Sequence, residues 1–352
     1  MLESKDAGLT PAEGALHEHR ASDWGLEGFR LAISLAGADT WQDWNHHLEW
    51  VDFAENRGLH SVWMPEMHFV PGGNAAPLVP LTAFAARTRR LRLATTSLLL
   101  PIHHPLQLAE EVAALDHLSG GRVILGLGRG FGPNLFGPFG IDSASKRDRF
   151  DAALDLMLRV WRGETSAAAG DPEVELAPGL PVRSRETHQT PHPLLVVAAF
   201  GRKGLEQSAR RGLPYLVSPM EPFDQIAENI AFHRSKLPPA VEPRDVVVPI
   251  MRSVFVSSDP RSLARARERL GGGERRAPPG KLPRAIARAM EAPLEDRVIV
   301  GTRREVIAGL ARYREELAMD LLIVRPLVAG VSAEERMASM IEIVEEVEPA
   351  LR

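Results

Sequence analysis

The stretch VWMPEMHF at residues 62–69 places an acid and a histidine at the end of an apolar run. Buried strands seldom end this way, because a carboxyl group and an imidazole lose hydration when they are buried. Glu66 and His68 are two residues apart, so their side chains can share one face of a strand. His68 could hydrogen-bond a ligand or transfer a proton. The alternative is a buried histidine whose partner lies within the protein.

The remaining histidines do not complete a metal site. His46 and His47 are adjacent, as are His103 and His104. Neighbouring residues on a helix or strand point in different directions, so neither pair chelates a metal ion easily. No third ligand accompanies the acid and histidine described above. We therefore predict that the protein holds no metal.

Two glycine-rich loops carry cations. GLGRGFG at residues 126–132 contains Arg129, and FGRKG at residues 200–204 leads into a helix-like stretch. Glycines let a backbone approach a ligand closely, and N–H groups beside a guanidinium suit a phosphate. A dinucleotide-binding fingerprint would open a helix in the first β–α–β unit of the chain, whereas the GLGRGFG loop follows the fourth strand-like run. The loops indicate a mononucleotide phosphate site or, alternatively, tight turns with surface cations.

Composition excludes several classes of protein. The 352 residues include 42 Lys and Arg against 46 Asp and Glu, a net charge of -4, which does not favour nucleic acid or an anionic membrane. There is no cysteine, so disulfides, thiolate metal sites and cysteine nucleophiles are excluded. No apolar run approaches the length of a membrane span, and the N-terminal stretch lacks the apolar core of a signal peptide. We expect a soluble, cytoplasmic protein.

Eight strand-like runs alternate with helix-like stretches. The runs are residues 30–35, 61–64, 91–100, 122–128, 194–199, 214–218, 245–256 and 320–326. They are apolar throughout, as expected for parallel strands that are covered on both faces. The helix-like stretches are residues 41–57, 78–88, 105–118, 146–161, 203–211, 223–236 and 303–317. Eight such repeats predict an α/β fold, a (β/α)8 TIM barrel, and a doubly wound open sheet is the alternative.

Three segments fall outside this alternation. Residues 1–28 have little patterning and are predicted to be a tail, so that residues 29–352 form a single domain. Residues 164–192 are polar and rich in proline, which indicates an insertion. Residues 271–284, GGGERRAPPGKLPR, have the composition of a lid loop or of a disordered segment.

Long parts of the chain resemble the bacterial luciferase-like flavin-dependent monooxygenases. The similar segments are VWMPEMHF, LRLATTSLLLPIHHPLQLAEEVAALDHLSGGRVILGLGRGF, HPLLVVAAFGRKGLEQSARRGLP and VIVGTRREVIAGLARYREELAMDLLIV. The resemblance covers residues 29–348 and is specific for the family but not for a substrate. It implies a (β/α)8 barrel of the luciferase-like type that binds reduced FMN, or a reduced deazaflavin, in its mouth.

The resemblance also assigns roles to residues. It implies phosphate contacts from Arg129 and Arg147, and it places the flavin ring near Thr96 and Ser97, where the family often has a non-proline cis peptide. With the strand end and the glycine loop, the predicted cofactor-binding residues are Glu66, Met67, Thr96, Ser97, Gly128, Arg129, Phe131, Gly132, Arg147, Ala199, Phe200 and Gly201. The predicted catalytic residues are His68 and His104.

One departure concerns catalysis. Luciferase has EHHF where this chain has EMHF, so its catalytic histidine falls on Met67. A thioether cannot transfer a proton, which places luciferase-like acid–base chemistry in question. Met67 indicates a more apolar pocket and a hydrophobic substrate, although a methionine that only fills a gap is an equal alternative.

The main functional expectation is a two-component monooxygenase. It would use reduced FMN from a separate flavin reductase, together with dioxygen, to oxygenate an organic substrate. The alternatives are a deazaflavin-dependent oxidoreductase that transfers hydride and a flavin-binding relative without activity. The family commonly dimerises through helices of the second and third units, so a homodimer is expected.

Overall fold

Parallel strands form one sheet that closes into a barrel. The computed structural model describes residues 19–132, 134–163, 186–272 and 284–352. In these ranges the strands are β1 (Arg30–Ser34), β2 (Ser61–Met64), β3 (Arg92–Thr95), β4 (Leu98–Leu99), β5 (Val123–Gly128), β6 (Leu194–Ala198), β7 (Tyr215–Leu216), β8 (Pro249–Val256), β9 (Val298–Gly301) and β10 (Leu321–Val324). Their order in the sheet is β7-β6-β5-β3-β2-β1-β10-β8-β9, and β4 pairs with β5.

A bridge between β7 and β8 closes the ring. Val217 pairs with Ile250, and its N–H donates to the carbonyl of Pro249 at 3.1 Å. The ring of β1, β2, β3, β5, β6, β7, β8 and β10 corresponds to the eight predicted runs, which confirms the barrel. The ninth strand, β9, was not predicted. It pairs with the second half of the long strand β8, outside the ring.

Helices cover the outside of the barrel. Within the described residues they are α1 (Trp41–Asn56), α2 (Leu78–Arg87), α3 (Pro105–Ser119), α4 (Lys146–Trp161), α5 (Arg202–Arg210), α6 (Phe223–Arg234), α7 (Pro260–Gly272), α8 (Arg284–Glu291), α9 (Arg303–Leu317), α10 (Ala333–Glu342) and α11 (Glu348–Leu351). Capping boxes fix several starts: Thr40 with Asp43 begins α1, and Thr302 with Glu305 begins α9. No helix of the described part of the chain is long and apolar enough to cross a membrane.

Alternate residues of each strand face two different cores. Leu31 and Ile33 of β1 pack outward against the helices, whereas Ala32 between them faces the barrel interior. Trp63 fills that interior and its indole N–H donates to Ser61 Oγ at 2.8 Å. Gly126 lets the backbone of β3 approach β5 closely, because a Cβ there would lie 2.0 Å from the Thr95 carbonyl oxygen. The interior below the strand ends is therefore solid.

The structure corrects two predicted boundaries. The predicted strand at 91–100 is two strands, because the chain turns at residues 96–97 between β3 and β4. The predicted tail is too long: Trp24 is 1% exposed and packs in the barrel interior, and its carbonyl accepts a hydrogen bond from His60. Residues 1–18, 164–185 and 273–283, which hold most of the predicted tail, insertion and lid loop, lie outside the described residues.

Candidate functional site

A cavity of about 730 Å³ opens at the carboxyl ends of the barrel strands. Such a volume lies within the range of small-molecule and cofactor sites, and this end of a TIM barrel is where such sites are found. Residues of β1, β4, β5, β6, β7 and β8 contribute to its walls, as do the segments after β2 and β10. The two ends of the cavity differ in chemistry.

One end of the cavity is cationic. Among the described residues, five cations line it: Arg129 after β5, Lys146 and Arg147 in the first turn of α4, and Arg202 and Lys203 in the first turn of α5. Burial lowers the pKa of Arg129, and the charge of Arg147 adds to this effect while Asp151 opposes it. Burial and the two arginines likewise lower the pKa of Lys146. The cations repel one another, so an anion bound among them would relieve that repulsion.

Gly204 brings Arg129 against helix α5. A Cβ at this position would lie 1.9 Å from Arg129 Nη2 and 2.6 Å from Cζ, so only glycine admits the guanidinium there. The N–H groups of a first helical turn have no partner within the helix, and they favour anions. Helix α5 therefore points its N-terminus and its glycine at the same place as the guanidinium. This arrangement suits a phosphate.

The middle of the cavity is formed by the turn between β3 and β4. The Thr96–Ser97 peptide bond is cis, and both residues line the cavity. Gly128 packs directly on this turn, because a Cβ there would lie 2.0 Å from Ser97 Oγ. Phe131 and Phe200 form an edge-to-face pair with ring centroids 6.2 Å apart. Both rings line the cavity.

Glu66 is the centre of a hydrogen-bonded group at the end of β2. Its Oε1 accepts from His68 Nε2 at 2.7 Å and from His103 Nε2 at 2.8 Å, and its Oε2 accepts from the N–H of Leu99 at 2.6 Å. Burial of the carboxyl opposes its ionisation, but the hydrogen bonds from His103, Leu99 and His68 outweigh burial and lower the pKa of Glu66. The group is therefore an ionised, buried carboxylate that two imidazoles hold.

The predicted catalytic residues do not line the cavity. His68 turns its Nε2 to Glu66 and packs its ring edge-to-face on Phe139, at 5.0 Å between centroids. His104 is exposed at the N-cap of α3, and it is His103 that reaches Glu66. Met67 lines the cavity and is 43% exposed. The position of the luciferase histidine is therefore next to the cavity, and a thioether occupies it.

Most of the predicted cofactor-binding residues meet at the cavity wall. Those that line it are Glu66, Met67, Thr96, Ser97, Gly128, Arg129, Phe131, Arg147, Ala199, Phe200 and Gly201. Gly132 does not line it. The assignment of these residues to a cofactor stays a prediction.

Sequence reasoning missed the other end of the cavity, which is largely apolar. Its walls include Met220, Met251, Leu270, Ile286, Leu327 and Val328, with Ser218, Ser253 and Arg325 among them. Five of these nine residues follow β7 or β10, where strand ends could have indicated them. Leu270 and Ile286 come from α7 and α8, and no periodic signal marks their approach to the barrel mouth.

Comparison with known proteins gives the relationship of the chain. The family model for luciferase-like monooxygenases matches residues 27–320. The 4-hydroxyprotoasukamycin monooxygenase of Streptomyces nodosus subsp. asukaensis is 36% identical over 129 residues, which cover 36% of this chain and 34% of that protein. The oxygenase component of the flavin-dependent trigonelline monooxygenase of Acinetobacter baylyi is 27% identical over 201 residues, 54% and 53% of the two chains. The chain thus spans about half or less of these curated relatives.

A solved structure resembles the whole barrel. The monooxygenase RslO1 of Streptomyces bottropensis superimposes with a TM-score of 0.73 at 26% sequence identity. The match covers 92% of this chain and 100% of that one. The similarity therefore extends over the barrel strands and the helices that build the cavity.

Proposed function

The chain belongs to the luciferase-like monooxygenase family, and we propose that it is a flavin-dependent monooxygenase. It would use reduced FMN and dioxygen to oxygenate an organic, apolar substrate. One observation carries the proposal: the cavity collects cations at one end and apolar side chains at the other. FMN has a phosphate that suits the cationic end and a planar ring that would lie beside the turn at Thr96 and Ser97, so the apolar end is left for a substrate.

The cationic end fits the phosphate of FMN. Arg129 and Arg147 would bind its oxygens, and the N-terminal N–H groups of α5 would add hydrogen bonds from the backbone. Because Gly204 has no side chain, the guanidinium of Arg129 lies directly against the first turn of α5. A flavin in this place would lie between the turn at Thr96 and Ser97 and the backbone at residues 199–201.

When bound, a reduced flavin would supply the reactivity toward dioxygen. The protein would supply binding, orientation and exclusion of water. Met67 keeps water away from the wall beside the ring, because its side chain offers no hydrogen-bond donor. We propose that His68, which lies behind that wall and hydrogen-bonds Glu66, remains the residue that carries the proton. Glu66 fixes its orientation and its tautomer, since the donated hydrogen bond places the proton on Nε2. The exposed position of His104 gives it no such support, and His103 is the better second candidate.

A separate reductase and a homodimer complete the proposal. The trigonelline relative is named as the oxygenase component of its system, which supports a partner that supplies reduced flavin. Trp41 at the start of α1 and Val79 in α2 are 71% and 69% exposed, and such large apolar side chains suit a contact between copies. A molar mass in solution of twice 38.6 kDa would support the dimer, and a mass of 38.6 kDa would oppose it.

The phosphate site is tested by titration of the protein with FMN and with riboflavin, which lacks the phosphate. Arg129→Gln and Arg147→Gln each remove one charged donor, so we expect each to weaken FMN binding about 10- to 100-fold. Riboflavin binding should change little. Arg210→Gln is the matched control, because Arg210 lies at the far end of α5 and pairs with Glu206. Equal losses for both ligands, or none, would contradict the phosphate site.

The oxygen reaction is tested by mixing the protein anaerobically with reduced FMN and then adding dioxygen. We expect the flavin absorbance to return to the oxidised spectrum more slowly than for free reduced FMN. Oxidation at the free rate would argue against a monooxygenase. In that case, binding and turnover of a reduced deazaflavin under the same conditions would indicate a deazaflavin-dependent oxidoreductase, and failure to bind either would indicate a relative without activity.

A further inference from the structure

The segment after β7 forms a wall of the apolar end of the cavity. Ser218, Pro219 and Met220 line the cavity, and Glu221 turns away beneath them and is completely buried. The bonds within the segment are long: the N–H of Met220 donates to Ser218 Oγ at 3.3 Å, and the N–H of Glu221 donates to the carbonyl of Ser218 at 3.3 Å. Such bonds are weak. Side chains beneath and beside the segment must therefore hold its shape.

The carboxyl group of Glu221 holds the segment from below. Its Oε2 accepts from the N–H of Ser218 at 2.8 Å. Its Oε1 accepts from the hydroxyl of Tyr215 and from Asn229 Nδ2, the latter at 2.6 Å. The side chain thus joins the segment to β7 and to α6.

The guanidinium of Arg252 holds the segment from the side. Its Nη1 donates to the carbonyl of Ser218 and its Nη2 to the carbonyl of Glu221, both at 2.8 Å. The same Nη1 donates to the carbonyl of Met251 at 2.8 Å, and Nε donates to the hydroxyl of Tyr313 at 3.0 Å. Arg252 is 0% exposed. One buried cation therefore fixes both ends of a four-residue segment.

We call the carboxyl group of Glu221 and the guanidinium of Arg252 the clamp, and strand β8 links the clamp to the cavity. Met251 and Ser253, on either side of Arg252, line the cavity, whereas Arg252 faces outward and lies over the Tyr313 ring of α9, 5.2 Å from its centroid. A buried charge is costly, and apolar residues of the same volume commonly give equal or greater stability. The buried charge of Arg252 lies behind one wall of the cavity, on the side away from the cationic end. This location favours a role in ligand selection over one in folding.

We propose that Arg252 and Glu221 are positioning residues that fix residues 218–220 as a preformed wall, and that Met220 on this wall selects an uncharged, apolar substrate. The proposal rests on the function proposed above, because it assigns the apolar end to the substrate of a flavin enzyme. A preformed wall reads the shape of a ligand, since a ligand that does not fit cannot displace it without breaking the hydrogen bonds to Arg252. The side chains of Met220 and Met251 offer apolar contact without a hydrogen-bond donor, so a charged group placed against these two side chains would stay unpaired.

The test uses the full-length protein and N-phenyl-1-naphthylamine, an uncharged apolar dye that fluoresces when it is bound. FMN affinity is measured beside it, and hydrogen exchange is followed at the amides of the non-proline residues between 216 and 221. Arg252→Met should weaken binding of the dye at least 10-fold and should increase exchange at these amides, while FMN affinity changes less than twofold. Arg252→Lys should restore part of the dye affinity, because it keeps one charged donor.

Tyr313→Phe is the matched control. It removes a partner of Arg252 that does not touch residues 218–221, so dye affinity and exchange should stay within twofold of the wild-type values. Met220→Ala should weaken dye binding and leave exchange unchanged. If Arg252→Met does not fold, Glu221→Gln gives the second reading, since Gln keeps the size of the side chain and lowers its capacity to accept.

The outcomes separate this proposal from the proposed function. Dye affinity and FMN affinity that fall together would show general loosening and would overturn the positioning role. A wild-type protein that does not bind the dye would overturn the apolar substrate end. A wild-type protein that binds the dye but not FMN would overturn the proposed flavin function, and the change of dye affinity in Arg252→Met would still decide the role of the clamp.

Discussion

Glu66 and His103 lie 2.8 Å apart, from carboxylate Oε1 to imidazole Nε2, although 36 residues separate them in the chain. The same oxygen accepts from His68 at 2.7 Å. The carboxylate of Glu66 thus accepts three hydrogen bonds, two from imidazoles and one from the N–H of Leu99, and both of its oxygens have a donor. The contact joins the ends of β2 and β4 beside the cavity, so it fixes the strand ends that carry Met67 and Ser97.

Replacement of Glu66 tests this contact. In Glu66→Gln an amide stands in place of the carboxylate, and the NH₂ group of the amide must face a donor, either an imidazole or the N–H of Leu99. We expect the free energy of unfolding to fall by about 1–3 kcal/mol at pH 7, measured by urea denaturation. His104→Ala is the control and should change it by less than about 0.5 kcal/mol, because His104 is exposed.

The pH dependence gives a second reading for Glu66. Its pKa is lowered in the folded state, so its contribution to stability is present above the pKa of the unfolded chain and is lost as pH falls through the folded pKa. The difference between wild type and Glu66→Gln should therefore shrink in acid. A difference that stays constant from pH 7 to pH 3 would contradict the ionised carboxylate.

Gly204→Ala separates the phosphate site from fold stability. The new Cβ would lie 1.9 Å from Arg129 Nη2, which can move aside, and 3.0 Å from the Cβ of Ala199, a tight contact. We expect FMN affinity to fall about 10-fold or more, since Arg129 is displaced, while stability changes by less than about 1 kcal/mol, because the better helix propensity of Ala offsets the tight contact. Fluorescence titration and thermal unfolding measure the two quantities.

Gly309→Ala is the matched control on another helix. Gly309 lies in α9, and a Cβ there would meet only Ile299 Cγ2, at 3.4 Å. It should show the same small effect of helix propensity on stability with no change in FMN affinity. If Gly204→Ala bound FMN as the wild type does, the placement of the phosphate beside Arg129 would be wrong.

His60 predicts destabilisation in mild acid. Its ring is buried, Nε2 donates to the carbonyl of Trp24 at 2.7 Å, and Nδ1 accepts from Ser61 Oγ at 2.9 Å. Burial lowers the pKa of His60 to about 4, with smaller effects of the charges of Arg92 and Arg30 in the same direction and an opposing hydrogen bond to Trp24. His60 is therefore neutral in the folded protein over most of the pH range in which a free imidazole would be protonated.

The sign follows from proton binding. Between about pH 6.5 and pH 4 the unfolded chain binds a proton at His60 and the folded chain does not, so stability falls as pH is lowered through this window. A shift of this size corresponds to about 3 kcal/mol. In His60→Gln, which can reach the same two partners, this part of the pH dependence should vanish in urea unfolding at pH 7, 5.5 and 4. An unchanged slope in His60→Gln would show that His60 is protonated in the folded state.

The barrel and the cationic end could be predicted because their signals are local. Each ring strand lies in a largely apolar run, and Arg129 follows one of them directly, so the topology of a barrel places it at the mouth. His103 was missed because the 3-10 turn at residues 100–102 redirects the chain between β4 and α3, and pattern alone does not give that direction. Arg252 was missed for a different reason: its partners are mainly backbone carbonyls about thirty residues away, which no side-chain pattern marks.

Glu221 predicts the opposite pH dependence from His60. Burial raises the pKa of this carboxyl to about 7, against the hydrogen bonds from Tyr215, Ser218 and Asn229 and the charge of Arg252. The unfolded pKa is about 4.5, so between pH 4.5 and pH 7 the folded protein holds a proton that the unfolded chain has released. Stability from this group is therefore complete below pH 4.5 and is lost as pH rises through 7, by about 1.4 kcal/mol per pH unit within the window.

In Glu221→Gln this loss should disappear, so the free energy of unfolding of the variant relative to wild type should rise from pH 5 to pH 7.5 in urea unfolding. A relative stability that is flat or falls over this range would show that Glu221 is ionised at pH 5, and that Arg252 faces a full negative charge throughout.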